Sequence, residues 1–305
     1  MSDPTSIDSL NERFAIAGVL KFEAGSGGLI RAAVGGPLAE GHVYLHGAHV
    51  THHRPAGQRA LLFLSARSRF AAGQAIRGGV PVIFPWFGPR AGHPEAPDHG
   101  FARTREWAVE SVTSAKDGAV AVTLALEADD ATRPTWPHEF RIRHRVVFGE
   151  RLEMTLEVEN RSSHPFDFEE ALHTYLLVGD VGQVTITGLG GGLYIDKTEG
   201  MRRKTLAADP LRLNGTTDRV FLDTRATCTV IDPVLARRIV VEKTGSTTTV
   251  VWNPWLEKAS TMADLGNEQW RSMLCVEAAN AADNAVHLAG GERHAMRVVI
   301  GTEAA

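Results

Sequence analysis

The sequence predicts an all-β fold, a single large antiparallel β-sandwich spanning residues 1–305, and three observations predict it. Short strand-like runs recur along the whole chain. Several alternate apolar and polar residues with a period of two, the pattern of a strand that buries one face. Turn residues separate the runs at a spacing of about 8–12 residues, and long amphipathic helices are nearly absent.

In chain order, strands are expected at 41–46, 119–126, 140–148, 152–159, 183–187, 227–231, 237–243, 247–252, 273–278 and 294–300. The run from Leu152 to Glu159 alternates without a break. Lys116-Asp117-Gly118, Phe148-Gly149-Glu150 and Asn160-Arg161-Ser162-Ser163 read as turns. A short helical turn is expected around 206–211, and residues 1–12 are expected to be flexible. No Gly/Ser linker, charge block or internal repeat divides the chain, which is why one domain is expected.

Hydrophobic residues make up 43% and charged residues 22% of the chain, a globular balance rather than a disordered or collagenous one. The net charge is −4 with no basic stripe, which argues against nucleic acid as a partner. A mildly acidic protein that binds an anion must gather positive charge locally, so single arginines matter. Cys228 and Cys275 lie in strand-like runs and form neither a metal knuckle nor a secreted disulfide framework. The start of the chain lacks a basic region followed by an apolar run. No uncharged apolar stretch reaches about 18 residues. A cytoplasmic protein with no membrane partner is expected.

Glycine and proline cluster between Arg77 and Arg103, and a long ordered loop inside a β domain is usually functional. Arg77 precedes Gly78-Gly79, where backbone can approach a ligand closely. Arg103 closes the run His99-Gly100-Phe101-Ala102-Arg103. Guanidinium groups grip phosphate oxygens as a fork, but both arginines also suit loop-bracing ion pairs. His173 interrupts an apolar run and must be hydrogen-bonded or functional, because an unpaired buried imidazole is costly. Glu277 ends the apolar run that begins at Met273, so it is either paired with an arginine or working. His42, His46, His49, His52 and His53 match no compact metal motif and read as ordinary polar positions. Trp86, Trp252 and Trp255 suit either sugar stacking or the core.

Six runs, in order, carry a resemblance: Arg77 to Gly88, His99 to Arg103, Glu170 to Tyr175, Thr217 to Phe221, Val251 to Trp255 and Met273 to Glu277. Together they resemble the hexose-6-phosphate mutarotases, or glucose-6-phosphate 1-epimerases, of the aldose 1-epimerase superfamily. The resemblance implies a supersandwich with the sugar in a cleft on one sheet face, and neither metal nor cofactor. It implies His173 as general acid and Glu277 as general base, facing each other across a pyranose. Arg77 and Arg103 match phosphate-binding arginines, Asp218 a sugar-hydroxyl ligand, and His99 a substrate-binding position. Asp98 stands where the family often has glutamine; a carboxylate accepts hydrogen bonds but cannot donate one as an amide does. Asn280 stands near a position where many relatives carry glycine. The implied activity is anomer exchange of a hexose 6-phosphate by a monomer. The alternatives are an aldose 1-epimerase acting on unphosphorylated hexoses and a carbohydrate-binding sandwich without catalysis.

Overall fold

A computed structural model describes residues 5–304. Leu152–Asn160, the run with the clearest alternation, buries every second side chain. It pairs antiparallel with Phe140–Phe148 on one side and Arg293–Ala304 on the other. These strands belong to an eight-stranded sheet in the order Thr185–Thr187, Cys228–Asp232, Arg237–Thr244, Arg293–Ala304, Leu152–Asn160, Phe140–Phe148, Val120–Glu127, Ala108–Ser114.

A second eight-stranded sheet carries the order Arg202–Thr205, Leu193–Asp196, Thr217–Phe221, Thr248–Asn253, Met273–Asn280, Glu170–Leu172, Val82–Ile83. Tyr175–Leu177 also pairs with Met273–Asn280. One apolar core joins the two sheets; Leu156 and Met154 of the first and Val251, Leu274 and Val276 of the second belong to it. Each such side chain, fully buried, contributes about 1.5–3 kcal/mol. A four-stranded sheet, Leu20–Ala24 to His49–Pro55, completes the architecture with a two-stranded pair.

All ten expected strands are present, with ends shifted by a few residues. Two expectations fail. Residues 206–211 are not helical: Leu211 instead bridges Ile186 antiparallel. The expected flexible stretch 1–12 lies partly outside the described residues, but Ile7–Phe14 is an α-helix. Ser6 caps it, Leu10 is buried, and the Asn11 side chain bonds both backbone groups of Phe22. A capped start and one apolar anchor are enough to dock a short helix that strand periodicity does not reveal. Among the described residues no helix is long and apolar enough to cross a membrane.

Behind the second sheet, Asn280 holds a buried polar network. Its Nδ2 donates to Glu170 Oε1 and to the Gly245 carbonyl, both at 2.8 Å, and its Oδ1 accepts from Thr247 N at 3.0 Å. His294 Nε2 meets the same Glu170 oxygen at 2.9 Å. Glycine at 280 keeps none of these side-chain bonds. Asn280→Gly is expected to cost about 2–4 kcal/mol, from orphaned buried partners and the flexibility of glycine in a strand. Chemical denaturation measures it. Burial pulls the His294 imidazole down, but the hydrogen bond it donates to the Glu170 carboxylate, with that group's charge, prevails and holds it above its ordinary 6.5. The pair therefore stabilises the fold fully below 6.5, and the contribution is lost as pH rises through the raised value. The melting-temperature gap between the native chain and His294→Gln is expected to narrow over that rise.

Candidate active site

The Met273–Asn280 strand is buried along its whole length, so it lies at the centre of its sheet with both faces covered. Cys275 and Glu277, two residues apart, point to the same face. The strand register sets Asp218 opposite Trp252, Trp252 opposite Cys275, and Tyr175 opposite Cys275. Val250 stands opposite Glu277 in the next row. One face thus presents a carboxylate, an indole, a thiol and a phenol in one row, with the Glu277 carboxylate one step along. The strand expected at 273–278 runs on to Asn280, so Glu277 sits within the ladder rather than at its end.

His173 lies between two short strands, Glu170–Leu172 and Tyr175–Leu177, that pair with the same long strand. The ladder breaks there, and His173 N bonds instead to the Pro81 carbonyl at 3.0 Å. Such a break re-aims a side chain. The imidazole stacks on Tyr175 with centroids 4.8 Å apart and planes 9° apart, and it meets the edges of Trp252 and His99. Its Nδ1 lies 3.3 Å from Glu277 Oε1, though not aligned as a hydrogen bond. Both groups are buried, and Glu277 Oε2 has no partner among the described residues.

The loop between the arginines folds back on the sheet. Gly79 has φ +61°, and a Cβ there would sit 2.2 Å from the Val50 carbonyl oxygen, so only glycine lets the backbone pass. Val82–Ile83 joins the sheet edge, and the backbone bond from Phe101 N to the Phe84 carbonyl brings the far end of the loop home. Arg77 is braced: it pairs with Asp264 at 3.0 Å and donates Nη1 to the Tyr175 hydroxyl at 2.9 Å. Arg103 is different. It donates Nη2 to the Asp98 carbonyl at 2.7 Å, its buried Nε finds no acceptor, and no carboxylate pairs with it among the described residues. Burial, opposed by Tyr175 and helped by Arg77, pulls its guanidinium below the ordinary value.

Arg77, Asp98, His99, Arg103, His173, Asp218 and Glu277 all line one cavity of about 290 Å³. Its electrostatics divide the central pair. Burial, then His99, Arg103 and Arg77, hold the His173 imidazole well below its ordinary value. Burial and the Asp218 carboxylate hold the Glu277 carboxyl well above its own, with Lys197 opposing. His99 accepts a bond from Gly88 N at 3.2 Å, and burial keeps it well below its ordinary value as well. Asp218, raised by burial, faces Lys197 Nζ at 3.8 Å.

The expectation that His173 and Glu277 flank a pyranose needs correcting. At 3.3 Å the two atoms leave no room for a ring between them. A sugar would lie beside the pair and meet the imidazole through Nε2. Of the three tryptophans, only Trp252 lines the cavity. Trp86 donates to the Pro97 carbonyl, and Trp255 packs on Trp270. The histidine cluster is not simply polar surface. His46, His49 and His53 are buried, and His49 bonds the Gly78 carbonyl next to Arg77 at 2.7 Å. Lys197, Lys258 and Phe87 line the cavity and were not anticipated. Lys197 and Lys258 stand in polar stretches that read as solvated, and Phe87 lies within the Arg77–Gly88 run without a feature of its own to mark it. Asp264 was missed because its partner is 187 residues away.

His173, Cys275 and Glu277 offer donor atoms within 4.8 Å of one another, the one such trio among the described residues. Metal sites favour a thiolate. Here burial and the Glu277 carboxylate, the two largest influences, both push the Cys275 thiol well above its ordinary range. The trio is better described as a protonated thiol packed beside the His173–Glu277 contact.

The profile of the family described as aldose 1-epimerase matches residues 38–301. A protein of Escherichia coli K12, provisionally named glucose-6-phosphate 1-epimerase, is 36% identical over 247 residues, covering 81% of this chain and 82% of its own. The chain belongs to the aldose 1-epimerase family. A second member, from Cenchrus ciliaris and with the same provisional name, is 34% identical over 85% of this chain and 80% of its own. Among solved structures, a provisional mutarotase, YeaD of Salmonella typhimurium, matches this aldose 1-epimerase family chain with a TM-score of 0.89. It is 31% identical, and the match covers 96% of each chain.

Proposed function

We propose that the protein is a hexose-6-phosphate mutarotase that interconverts the α and β anomers of glucose 6-phosphate. The observation that carries the phosphate preference is Arg103, a cation that lacks a carboxylate ion-pair partner among the described residues and lines the same cavity as the His173–Glu277 contact. A guanidinium with free donors, next to a second one, suits a phosphate dianion better than a neutral hydroxyl. An enzyme confined to unphosphorylated hexoses has no use for that charge.

In the proposed reaction the Glu277 carboxylate takes the proton of the C1 hydroxyl while His173 Nε2–H protonates the ring oxygen. The C1–ring oxygen bond breaks and a C1 carbonyl forms. Rotation about C1–C2 presents the other carbonyl face, and the same two protons return as the ring recloses. Asp218 and Lys197 hold sugar hydroxyls from the side wall, and Trp252 covers one face. Binding at the phosphate orients the reacting carbon. The proposal includes a cytoplasmic setting, which two buried cysteines in no disulfide support.

The test is direct. Freshly dissolved α-glucose 6-phosphate is followed by polarimetry or one-dimensional NMR with and without the protein. A rate in proportion to protein concentration is expected, with much weaker acceleration of free glucose. Equal acceleration of both sugars favours the unphosphorylated-hexose alternative. Saturable binding with no acceleration of either favours a carbohydrate-binding module.

A further inference from the structure

We propose that the anion held by Arg77 and Arg103 is an activator as well as an anchor, so that inorganic phosphate alone switches on anomer exchange of an unphosphorylated hexose at His173 and Glu277. The inference rests on the mutarotase reading of the site and goes beyond it, because it assigns the protein a second, phosphate-dependent activity.

The anion end and the reacting end are physically continuous. Arg77 donates to the Tyr175 hydroxyl at 2.9 Å, and the Tyr175 ring stacks on His173 at 4.8 Å. His99, which shares the loop of Arg103, presents its ring to His173 at 5.7 Å. The groups around the imidazole come from every element packed on it. Arg77, His99 and Arg103 come from the loop, Tyr175 from its own segment, Trp252 from the neighbouring strand, and Cys275 and Glu277 from the central strand. Tyr175 and Cys275 are both pushed up by burial, and His99 is held neutral, so none of the three carries charge at neutral pH. Arg77 and Arg103 are the permanent charges that act on His173; Asp264 ion-pairs with Arg77, while Asp98 and Asp264 act on Arg103 only through the field, without an ion pair.

With that end empty, burial first, then His99 and the field of the two guanidiniums, discourage an imidazolium. The pair then shares one proton, with Glu277 as a carboxylic acid and His173 neutral. A bound dianion cancels the field. The Glu277 Oε1–H bond can then break as the His173 Nδ1–H bond forms across the 3.3 Å contact. The products are the carboxylate and imidazolium that ring opening needs, and no proton comes from solvent. Asp218 and Lys197, not the arginines, dominate the field on Glu277, so the dianion raises the acid without disabling the base. Glucose 6-phosphate brings its own activator. Free glucose does not, but phosphate and glucose can fill the same cavity as two pieces.

The experiment uses the full chain, freshly dissolved α-glucose, and inorganic phosphate varied at constant ionic strength. His173→Gln protein serves as the blank for the buffer's own catalysis. The expected result is saturable acceleration of at least about tenfold, the effect of one unit in the acid's protonation equilibrium. The half-saturating phosphate concentration should equal its inhibition constant as a competitor of glucose 6-phosphate. Arg103→Ala should abolish the acceleration. Phosphate that competes with glucose 6-phosphate yet leaves the glucose rate at the blank overturns the coupling, and so does a lack of any competition. A protein that leaves glucose 6-phosphate anomers untouched overturns the mutarotase reading itself, a failure separate from the other two.

Discussion

His173→Ala and Glu277→Gln are each expected to slow anomer exchange of glucose 6-phosphate by about 10²–10⁴-fold, the range for loss of one general acid or base. The double variant should fall little below the worse single variant, because two groups that exchange protons in one step act as a unit. The pH profile should distinguish them. The pair holds one proton between the depressed imidazole and the raised carboxyl, so activity should form a broad plateau. It falls in acid as the pair gains a second proton, and in alkali as the pair loses its only one. Glu277→Gln leaves His173 alone to carry the proton, so whatever activity remains should fall as pH rises through the depressed imidazole value, well before the native decline.

Stability serves as the control. Glu277 has a folded value above its ordinary 4.5, so its contribution to stability is full below 4.5 and is lost as pH rises through the folded value. Glutamine never ionises and escapes that loss. At neutral pH Glu277→Gln should therefore melt no lower than the native chain. A stable variant with near-native rates in both single replacements would remove the acid–base assignment, and a variant that melts lower would contradict the burial argument.

How much of this was legible in sequence follows from the range over which each feature is decided. A strand such as Leu152–Asn160 is written locally, because burial on one face imposes alternation residue by residue. His173 and Glu277 stood out because a titratable group within an apolar run is costly enough to need a reason. Their 3.3 Å contact was not legible, since it depends on a ladder break at His173 and on the register of Met273–Asn280. Nor was the difference between the arginines. Both bound one glycine- and proline-rich loop, yet Asp264 forms an ion pair only with Arg77. Asn280 looked like a departure without consequence, and it anchors Glu170, Gly245 and Thr247. Lys197 gave no signal because a lysine after a strand is ordinary until Asp218 is placed 3.8 Å away.

That difference between the arginines leads to the second large effect. Arg103→Ala should lower kcat/KM for glucose 6-phosphate by about 10–150-fold, the equivalent of one charge-assisted interaction of roughly 1.5–3 kcal/mol. In the absence of phosphate the unphosphorylated sugar should lose no rate, because it offers Arg103 no phosphate to hold and the variant removes a cation that holds the His173 imidazole down. Stability should hold or rise, since the variant removes a half-buried cation whose Nε has no acceptor and whose charge desolvation disfavours. Arg77→Ala should behave differently. It leaves Asp264 without its ion pair and the Tyr175 hydroxyl without its donor, so it should cost stability and disturb the ring stacked on His173. Its losses should therefore reach both sugars. Kinetics on the two substrates, with a melting curve for each variant, separate an anchor from a brace. Equal losses on both sugars in Arg103→Ala would refute phosphate selection at this site.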